Sequence, residues 1–276
     1  LHLAEGCDAV STNPCEIRPE YLEAWAGMGV KYLPCRSIGY DHIPLDTAKK
    51  LGMRISHSHY PPEGVANYTI MLILMCTRKM NQIMLRANVQ DYSLPGKMGR
   101  DISGCTVGVI GTGKIGQTVV RNLSGFGCKM LAYDLYPNES GRAIADYVTQ
   151  DELFAKADVI SLHCNLTPEN TGLINRENIA KMKDGVILLN NARGQLVNEA
   201  DLAEALASGK VAAAGLDVVS TEPIKADNPL LKAPNCIITP HISWAPKESR
   251  ERIMDCTAEN IRAFLNRKPI HVVNMK

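Results

Sequence analysis

Four polar residues stand just beyond apolar, strand-like runs, and their types suit acid–base chemistry on a carboxylic acid. Leu188-Leu189-Asn190-Asn191-Ala192-Arg193-Gly194 puts Arg193 past one such run. A guanidinium grips a carboxylate through two parallel hydrogen bonds. Ala214-Gly215-Leu216-Asp217-Val218-Val219-Ser220-Thr221-Glu222-Pro223 puts Asp217 and Glu222 past a second run, and Ile237-Ile238-Thr239-Pro240-His241 puts His241 past a third. A histidine at one strand end and a carboxylate at another form a candidate acid–base pair, in which the carboxylate favours the imidazolium. The bland alternatives are a solvated surface arginine and a structural histidine. His57 and His59 stand two apart, on one face if extended, but no third ligand lies nearby and no metal site is expected. Cys164 follows a strand without an evident base beside it, so a small buried apolar role is expected rather than a nucleophile.

A second constellation lies earlier in the chain. Val107-Gly-Val-Ile-Gly-Thr-Gly-Lys-Ile-Gly116 joins a β-branched run to the order G-x-G-x-x-G at Gly111, Gly113 and Gly116. A helix-period segment follows from Ile115 to Phe126, then a strand-like run from Lys129 to Tyr133 that ends at Asp134, 18 residues past Gly116. Gly111 permits a tight turn, Gly113 lets a pyrophosphate approach the backbone, and Gly116 lets helix and strand pack closely. The helix N-terminus offers unpaired N–H groups to phosphates, and the acid accepts from a ribose hydroxyl. A glycine-rich turn in an ordinary α/β protein is the alternative; the strand, helix and acid in order argue for a dinucleotide. Leu135 and Tyr136 stand where an NADP site prefers Arg or Lys, which favours NAD.

These residues need elements to position them. The 276 residues allow one large or two modest domains, and 30 Lys plus Arg against 29 Asp plus Glu leave no basic excess for nucleic acid. Nine cysteines without a C-x-x-C argue against a disulfide framework or zinc knuckle and for a reducing cytoplasm. The longest apolar run, Ile70 to Cys76, is too short to span a bilayer. Asp8–Ser11, Val30–Cys35 and Met53–His57 read as strands alternating with helices at Pro19–Met28 and Asp46–Leu51, a small parallel sheet. Three strands are few, and the chain opens on Leu1 inside a helix-like fragment, so a leading unit is expected to be missing.

Pro61-Pro62 breaks the pattern before a helix from about Gly64 to Met80, apolar nearly all round and so expected at a domain or subunit interface. Gln90 to Ile102 reads as a polar connection. Beyond Asp134, helices at Asp151–Ala157, Arg176–Met182 and Glu199–Ser208 alternate with strands at Asp158–His163, Gly185–Asn190, Val211–Val218 and Cys236–Thr239. That is a doubly wound parallel sheet with ligands expected at its carboxyl edge. Pro246–Asn266 reads as a final long helix and Ile270–Asn274 as an extended tail.

The order G-T-G-K-I-G, Asp134, N-A-R-G-Q-L-V, G-L-D-V, Glu222-Pro223 and T-P-H-I resembles the D-isomer-specific 2-hydroxyacid dehydrogenases over essentially the whole chain. Arg36 to Ile43 is similar to the D-lactate and D-hydroxyisocaproate branch. Glu222-Pro223 through Asn228-Pro229-Leu230 to Pro246 is similar to glycerate dehydrogenase, or hydroxypyruvate reductase. The resemblance implies an α/β fold: a Rossmann domain at 78–244 and a smaller flavodoxin-like substrate domain, N-terminally truncated, at 1–77 and 245–276. It implies that Arg193 binds the substrate carboxylate, that His241 is the acid–base and that Glu222 pairs with it. Ser37, Ile38 and Gly39 are implied to help hold the substrate. NAD contacts are implied at Gly111, Gly113, Lys114, Ile115, Gly116, Asp134, Cys164, Asn165, Asn170, Asn191, Ala192, Arg193, Asp217 and His241. The sequence departs from the common pattern at Asn165, where Pro is frequent, and at Asn191-Ala192, where Thr or Val with Ser or Gly is common. The resemblance also implies a homodimer formed through the Gly64–Met80 helix, in the cytoplasm, with no nucleic-acid or membrane partner. Hydride exchange between NADH and C2 of a small 2-keto acid is the expected reaction. The rivals are an NAD-sensing co-repressor on the same fold and 3-phosphoglycerate dehydrogenase.

Overall fold

The structure, a computed structural model, describes residues 1–13 and 15–275 and divides into two compact units, Leu1–Pro61 with Ala245–Lys276, and Pro62–Trp244.

In the smaller unit α1 (Pro19–Gly27) starts on a proline, whose fixed φ suits the first helical position. The chain then turns through Gly29 into β1 (Tyr32–Pro34), and α2 (Leu45–Lys50) leads to β2 (Arg54–Ser56), parallel to β1. The expected strand at Asp8–Ser11 is reduced to isolated parallel bridges at Ala9–Tyr32 and Thr12–Cys35. Its side chains are exposed or only half-buried, so burial does little to hold it on the sheet. The C-terminal helix, Lys247–Leu265, stacks Phe264 on Tyr32 with ring centroids 4.3 Å apart. The extended tail is tied back by Asn274, whose side chain accepts from the Ile55 N–H at 2.9 Å and donates to Met53 O at 2.8 Å.

The larger unit begins with α3 (Glu63–Thr77), placed directly after Pro62. The sequence boundary at 77/78 is corrected to 61/62, because α3 is core to the larger unit. Ala66, Leu72, Ile73 and Cys76 are buried with Val107, Val109, Ile187 and Leu189. Leu72 and Ile73 are fully enclosed, each stabilising by roughly 1.5–3 kcal/mol. The helix also ends early. Lys79 takes a left-handed φ of 53°, and a second helix, α4 (Met80–Ala87), follows where none was expected.

The nucleotide motif then unfolds as read, through β3 (Thr106–Ile110), α5 (Lys114–Ser124) and β4 (Lys129–Tyr133). Two short elements escaped the sequence reading, α6 (Glu139–Arg142) and β5 (Asp146–Tyr147). After them come α7 (Gln150–Lys156), β6 (Val159–Leu162), α8 (Arg176–Lys181), β7 (Val186–Asn190), α9 (Glu199–Ser208), β8 (Val211–Leu216) and β9 (Cys236–Ile238). A full capping box at Thr149 and Glu152 opens α7, while Asn198 caps the start of α9 and Gly209 ends it. Among the described residues the strands form one seven-stranded parallel sheet in the order β5-β4-β3-β6-β7-β8-β9. Helices cover both faces. Along β7, Val186 and Leu188 face a core shared with Leu153, Phe154 and Leu202, whereas Ile187 and Leu189 face α3 and α5. Strand order reverses between β3 and β6, where doubly wound sheets open a crevice for ligands.

Candidate active site

The nucleotide turn is built around Gly111, which has φ +95°. A Cβ there would lie 2.5 Å from the carbonyl carbon of His163, so the residues after β6 run directly beneath the turn. At Gly116 a Cβ would collide with the Gly111 carbonyl, the close helix–strand contact expected from the motif. Above Gly113 nothing lies within 4 Å of a built Cβ, so open space stands at the N-terminus of α5, where Lys114 and Ile115 begin the helix.

Asp134 follows β4 and is locked to the turn. One carboxylate oxygen accepts from the Thr112 N–H at 2.6 Å and Thr112 Oγ1 at 2.9 Å, and the other accepts from the Tyr136 N–H at 2.9 Å. A carboxylate accepts about four hydrogen bonds, so these three bonds from described residues leave room for a ribose hydroxyl. Thr112 was not singled out from sequence; it also accepts from the Tyr147 hydroxyl at 2.6 Å. The Asn191 side chain is buried, and its amide meets no hydrogen-bond partner among the described residues. Space above Gly113, an acceptor left on Asp134 and this orphan amide suit a dinucleotide.

Three residues expected to contact the cofactor also take part in local structure. Cys164 is half-buried beside the turn, and burial pushes its thiol up to about 11, which disfavours the thiolate. Asn170 caps its own loop, accepting from the Thr167 N–H at 2.8 Å and donating to Asn165 O at 2.7 Å. Asp217 is wholly buried, and its carboxylate serves the loop after β9. It accepts from Thr239 Oγ1 at 2.6 Å, the Ile242 N–H at 2.9 Å and the Ser243 N–H at 2.8 Å.

The candidate acid–base set forms at the carboxyl ends of β7, β8 and β9. Asn190, fully buried at the last position of β7, folds the chain back on itself. Its side chain accepts from the Ala192 N–H at 3.0 Å and donates to Arg193 O at 2.8 Å. Gly194 is demanded by close approach, since a Cβ there would overlap the backbone of Val219. The loop bearing Glu222 is steadied by Glu199, which accepts from the Ser220 N–H at 2.7 Å, Ser220 Oγ at 2.8 Å and Asn228 Nδ2 at 2.9 Å. Glu222 Oε2 then accepts from His241 Nδ1 at 2.7 Å. Burial pushes the Glu222 carboxyl up. The bond and charge of His241, the Val219 N–H and the charge of Arg193 outweigh it and hold the carboxyl below its ordinary value. Arg193, Glu222 and His241 are therefore one electrostatic group. His241 Nδ1 faces the carboxylate, which leaves Nε2 on the opposite side of a ring that is 38% exposed and open to ligand.

In the smaller unit, the loop Ser37–Gly39 has each carbonyl tied. Ser37 O accepts from the Ser58 N–H at 2.9 Å, Ile38 O pairs with His57 Nδ1 at 2.9 Å, and Gly39 O accepts from Ser37 Oγ at 2.6 Å. His59 stacks against His271 with centroids 5.9 Å apart. The histidine pair thus serves local structure.

Comparison with known proteins agrees with this architecture. Residues 70–243 match the family described as D-isomer specific 2-hydroxyacid dehydrogenase, NAD binding domain. The chain is 45% identical to a hydroxypyruvate reductase of Blautia hydrogenotrophica, over 97% of this chain and 85% of that protein. It is 37% identical to an aromatic 2-oxoacid reductase of Clostridium sporogenes, over 95% and 84%. The structure of D-lactate dehydrogenase from Aquifex aeolicus, complexed with NAD and lactic acid, superposes with a TM-score of 0.91 at 34% identity, covering 100% of this chain and 89% of that one. The chain belongs to the D-isomer-specific 2-hydroxyacid dehydrogenases, oxidoreductases acting on CH–OH groups, and carries their NAD-binding domain.

Proposed function

We propose that this chain is an NAD-dependent D-2-hydroxyacid dehydrogenase that reversibly reduces a small 2-keto acid at C2. The observation that carries this reading is the 2.7 Å bond between His241 Nδ1 and Glu222 Oε2, with the Arg193 charge at the same carboxylate. NAD(H), when bound at the glycine turn, supplies or accepts the hydride. The Arg193 guanidinium binds the substrate carboxylate and stabilises charge growing on the C2 oxygen. His241, as imidazolium, gives the Nε2 proton to that oxygen, while Glu222 keeps the ring oriented through Nδ1 and offsets its charge. Proton donation of this kind contributes about 10²–10⁴-fold. In the oxidative direction neutral His241 takes the proton back, so reduction is favoured at lower pH and oxidation at higher pH.

Ser37, Ile38 and Gly39 are assigned to the substrate, which makes residues 1–61 and 245–276 the substrate unit and 62–244 the nucleotide unit. Hydroxypyruvate and glyoxylate are the first choices, supported by the likeness to the hydroxypyruvate reductase; pyruvate and 2-ketoisocaproate are the second. A homodimer is part of the proposal. On α3, Met71 is exposed and Ile70, Leu74 and Met75 are only partly buried; with the exposed Leu85, Val89, Tyr92, Leu94 and Met98 beyond the helix they would pack on a second copy. Nine free thiols support a reducing cytoplasm, and among the described residues no helix is long and apolar enough to cross a membrane.

The test is NADH oxidation against hydroxypyruvate, glyoxylate, pyruvate, 2-ketoisocaproate and 2-ketoglutarate, with NADPH as control. Turnover concentrated on hydroxypyruvate and glyoxylate supports the first choice, and turnover on pyruvate or 2-ketoisocaproate moves the assignment to the second. Failure on every acid with NADH bound would sink the enzymatic reading.

A further inference from the structure

The loop Thr239–Trp244 holds the catalytic histidine and is tied down on one side by Asp217. The Thr239 N–H donates to Leu216 O at 2.9 Å and the His241 N–H to Asp217 O at 2.8 Å. The next two N–H groups, of Ile242 and Ser243, go to the two oxygens of the Asp217 carboxylate at 2.9 and 2.8 Å. All of these bonds act on donors of the loop. On the acceptor side, the Thr239 carbonyl takes a 3.0 Å bond from the His241 N–H, and the His241 carbonyl accepts from the Trp244 indole N–H at 2.7 Å.

That carbonyl matters because His241 has φ +50°, in the left-handed region that residues with a Cβ seldom occupy. Such a conformation persists only where the surroundings over-determine it. Asp217 holds the peptide after His241 by its Ile242 N–H and the next one by the Ser243 N–H. The indole, reaching back from three residues on, holds the same His241–Ile242 peptide by its carbonyl, so both ends of the planar unit that would turn on a return to negative φ are tied. A return would swing the Cα–Cβ bond and carry Nδ1 away from Glu222. Trp244 is also the last residue of the larger unit, the chain passing to the smaller one at Ala245. The bond to His241 therefore sits where the chain leaves the unit that bears the acid–base pair.

We propose that Trp244 is a positioning residue for His241: its indole N–H holds the His241 carbonyl, and so keeps the imidazole on Glu222. The inference rests on the proposed role of His241 as acid–base. It requires no contact between Trp244 and the substrate, and it assigns the N–H rather than the ring face as the working part.

The test separates the N–H from the ring. Trp244→Phe keeps an aromatic ring, and benzothiophene in place of the indole at position 244 keeps the ring shape while exchanging only the N–H for sulfur. With the best 2-keto acid, kcat is expected to fall about 5- to 10-fold in both, the worth of one hydrogen bond, with KM for NADH within about 2-fold of wild type. In a Glu222→Gln background the same changes are expected to cost less than about 2-fold, because the pair they act through is already weakened. The histidine side-chain ¹H–¹⁵N spectrum gives a readout independent of turnover. The downfield Nδ1 proton of His241, identified by its loss in His241→Gln, is expected in the wild type and lost or moved upfield in both Trp244 variants. An unmoved Nδ1 proton, or losses that add fully to Glu222→Gln, overturns the proposal. So does a change confined to substrate KM and preference, which would make Trp244 a pocket wall. If no 2-keto acid is turned over by the wild type, the dehydrogenase reading fails, while the imidazole spectrum still decides the positioning role.

Discussion

Acidification should weaken the larger unit through His163. This residue follows β6 and runs under the Gly111 turn. Its N–H donates to Ile110 O at 2.7 Å, and its ring Nε2 lies 2.8 Å from Ser161 Oγ. Burial pushes the imidazole pKa down to about 4, against about 6.5 in an unfolded chain. Below about pH 6.5 the unfolded chain therefore takes up a proton that the folded chain refuses. Stability must rise with pH across this window and fall as the pH drops toward 4. The two values give a loss of about 2 kcal/mol by pH 5 and about 3 kcal/mol by pH 4, below which both states are protonated and the slope from this residue vanishes. His163→Gln removes the titration and retains an amide for Ser161. Urea unfolding of both proteins, followed by far-UV circular dichroism from about pH 7.5 to 4, should show the wild type losing about 3 kcal/mol more than the variant. Parallel stability curves across that range would refute the claim that His163 is held neutral by burial.

Arg193→Lys keeps the charge but loses the planar fork, so kcat/KM should fall about 10- to 100-fold without a change in melting temperature; wild-type kinetics in this variant would remove Arg193 from the site. Gly113→Ala places a methyl in the open space over α5. It should leave thermal stability unchanged yet raise the NADH dissociation constant at least about 10-fold in a fluorescence titration, since phosphate and methyl compete for that space. Unaltered affinity would place the pyrophosphate elsewhere. Glu222→Gln replaces the carboxylate that accepts from His241 Nδ1 with a neutral amide, so kcat for keto-acid reduction should fall about 10-fold with KM for NADH unchanged. Wild-type turnover in this variant would remove Glu222 from the acid–base pair.

Much of the larger unit was legible because its signals are local. Strand runs such as Val186–Asn190 and helix-period segments such as Glu199–Ser208 announce themselves in a window of a few residues, and the glycine spacing at 111, 113 and 116 carries its own turn. Of the elements that escaped, α6 and β5 are four and two residues long, too short for any period to show, whereas α4 is parted from α3 only by the left-handed turn at Lys79. The strand read at Asp8–Ser11 failed for the opposite reason: its pattern was present, but its side chains are exposed or half-buried, so little burial holds it on the sheet. Helix α3 was legible as a helix buried on several sides, yet not as part of the larger unit, because an all-round apolar surface does not say which neighbour covers it.

The site divides the same way. Arg193, Glu222 and His241 could be nominated from the rule that polar residues past buried strands meet ligands, and Asp134 from its spacing to the glycines. Asn190 left a usable signal, a polar residue closing a run of Val, Ile and Leu in a buried strand, which demands a buried partner. Glu199 and Trp244 left none. Their roles are hydrogen bonds to Ser220, Asn228 and His241, and nothing in a carboxylate at a helix start or a tryptophan after a loop specifies such partners.

By itself, the order of residues determined the doubly wound sheet, the nucleotide turn and the three residues suited to acid–base chemistry, since each depends on periodicity, backbone freedom or side-chain chemistry that neighbours in the chain share. Only the tertiary structure decided that Glu222 meets His241 through Nδ1, that Asp217 is a buried anchor, and that α3 belongs to the larger unit. Those outcomes are set by strand order and loop packing across tens of residues, where a difference of one ångström separates a hydrogen bond from none.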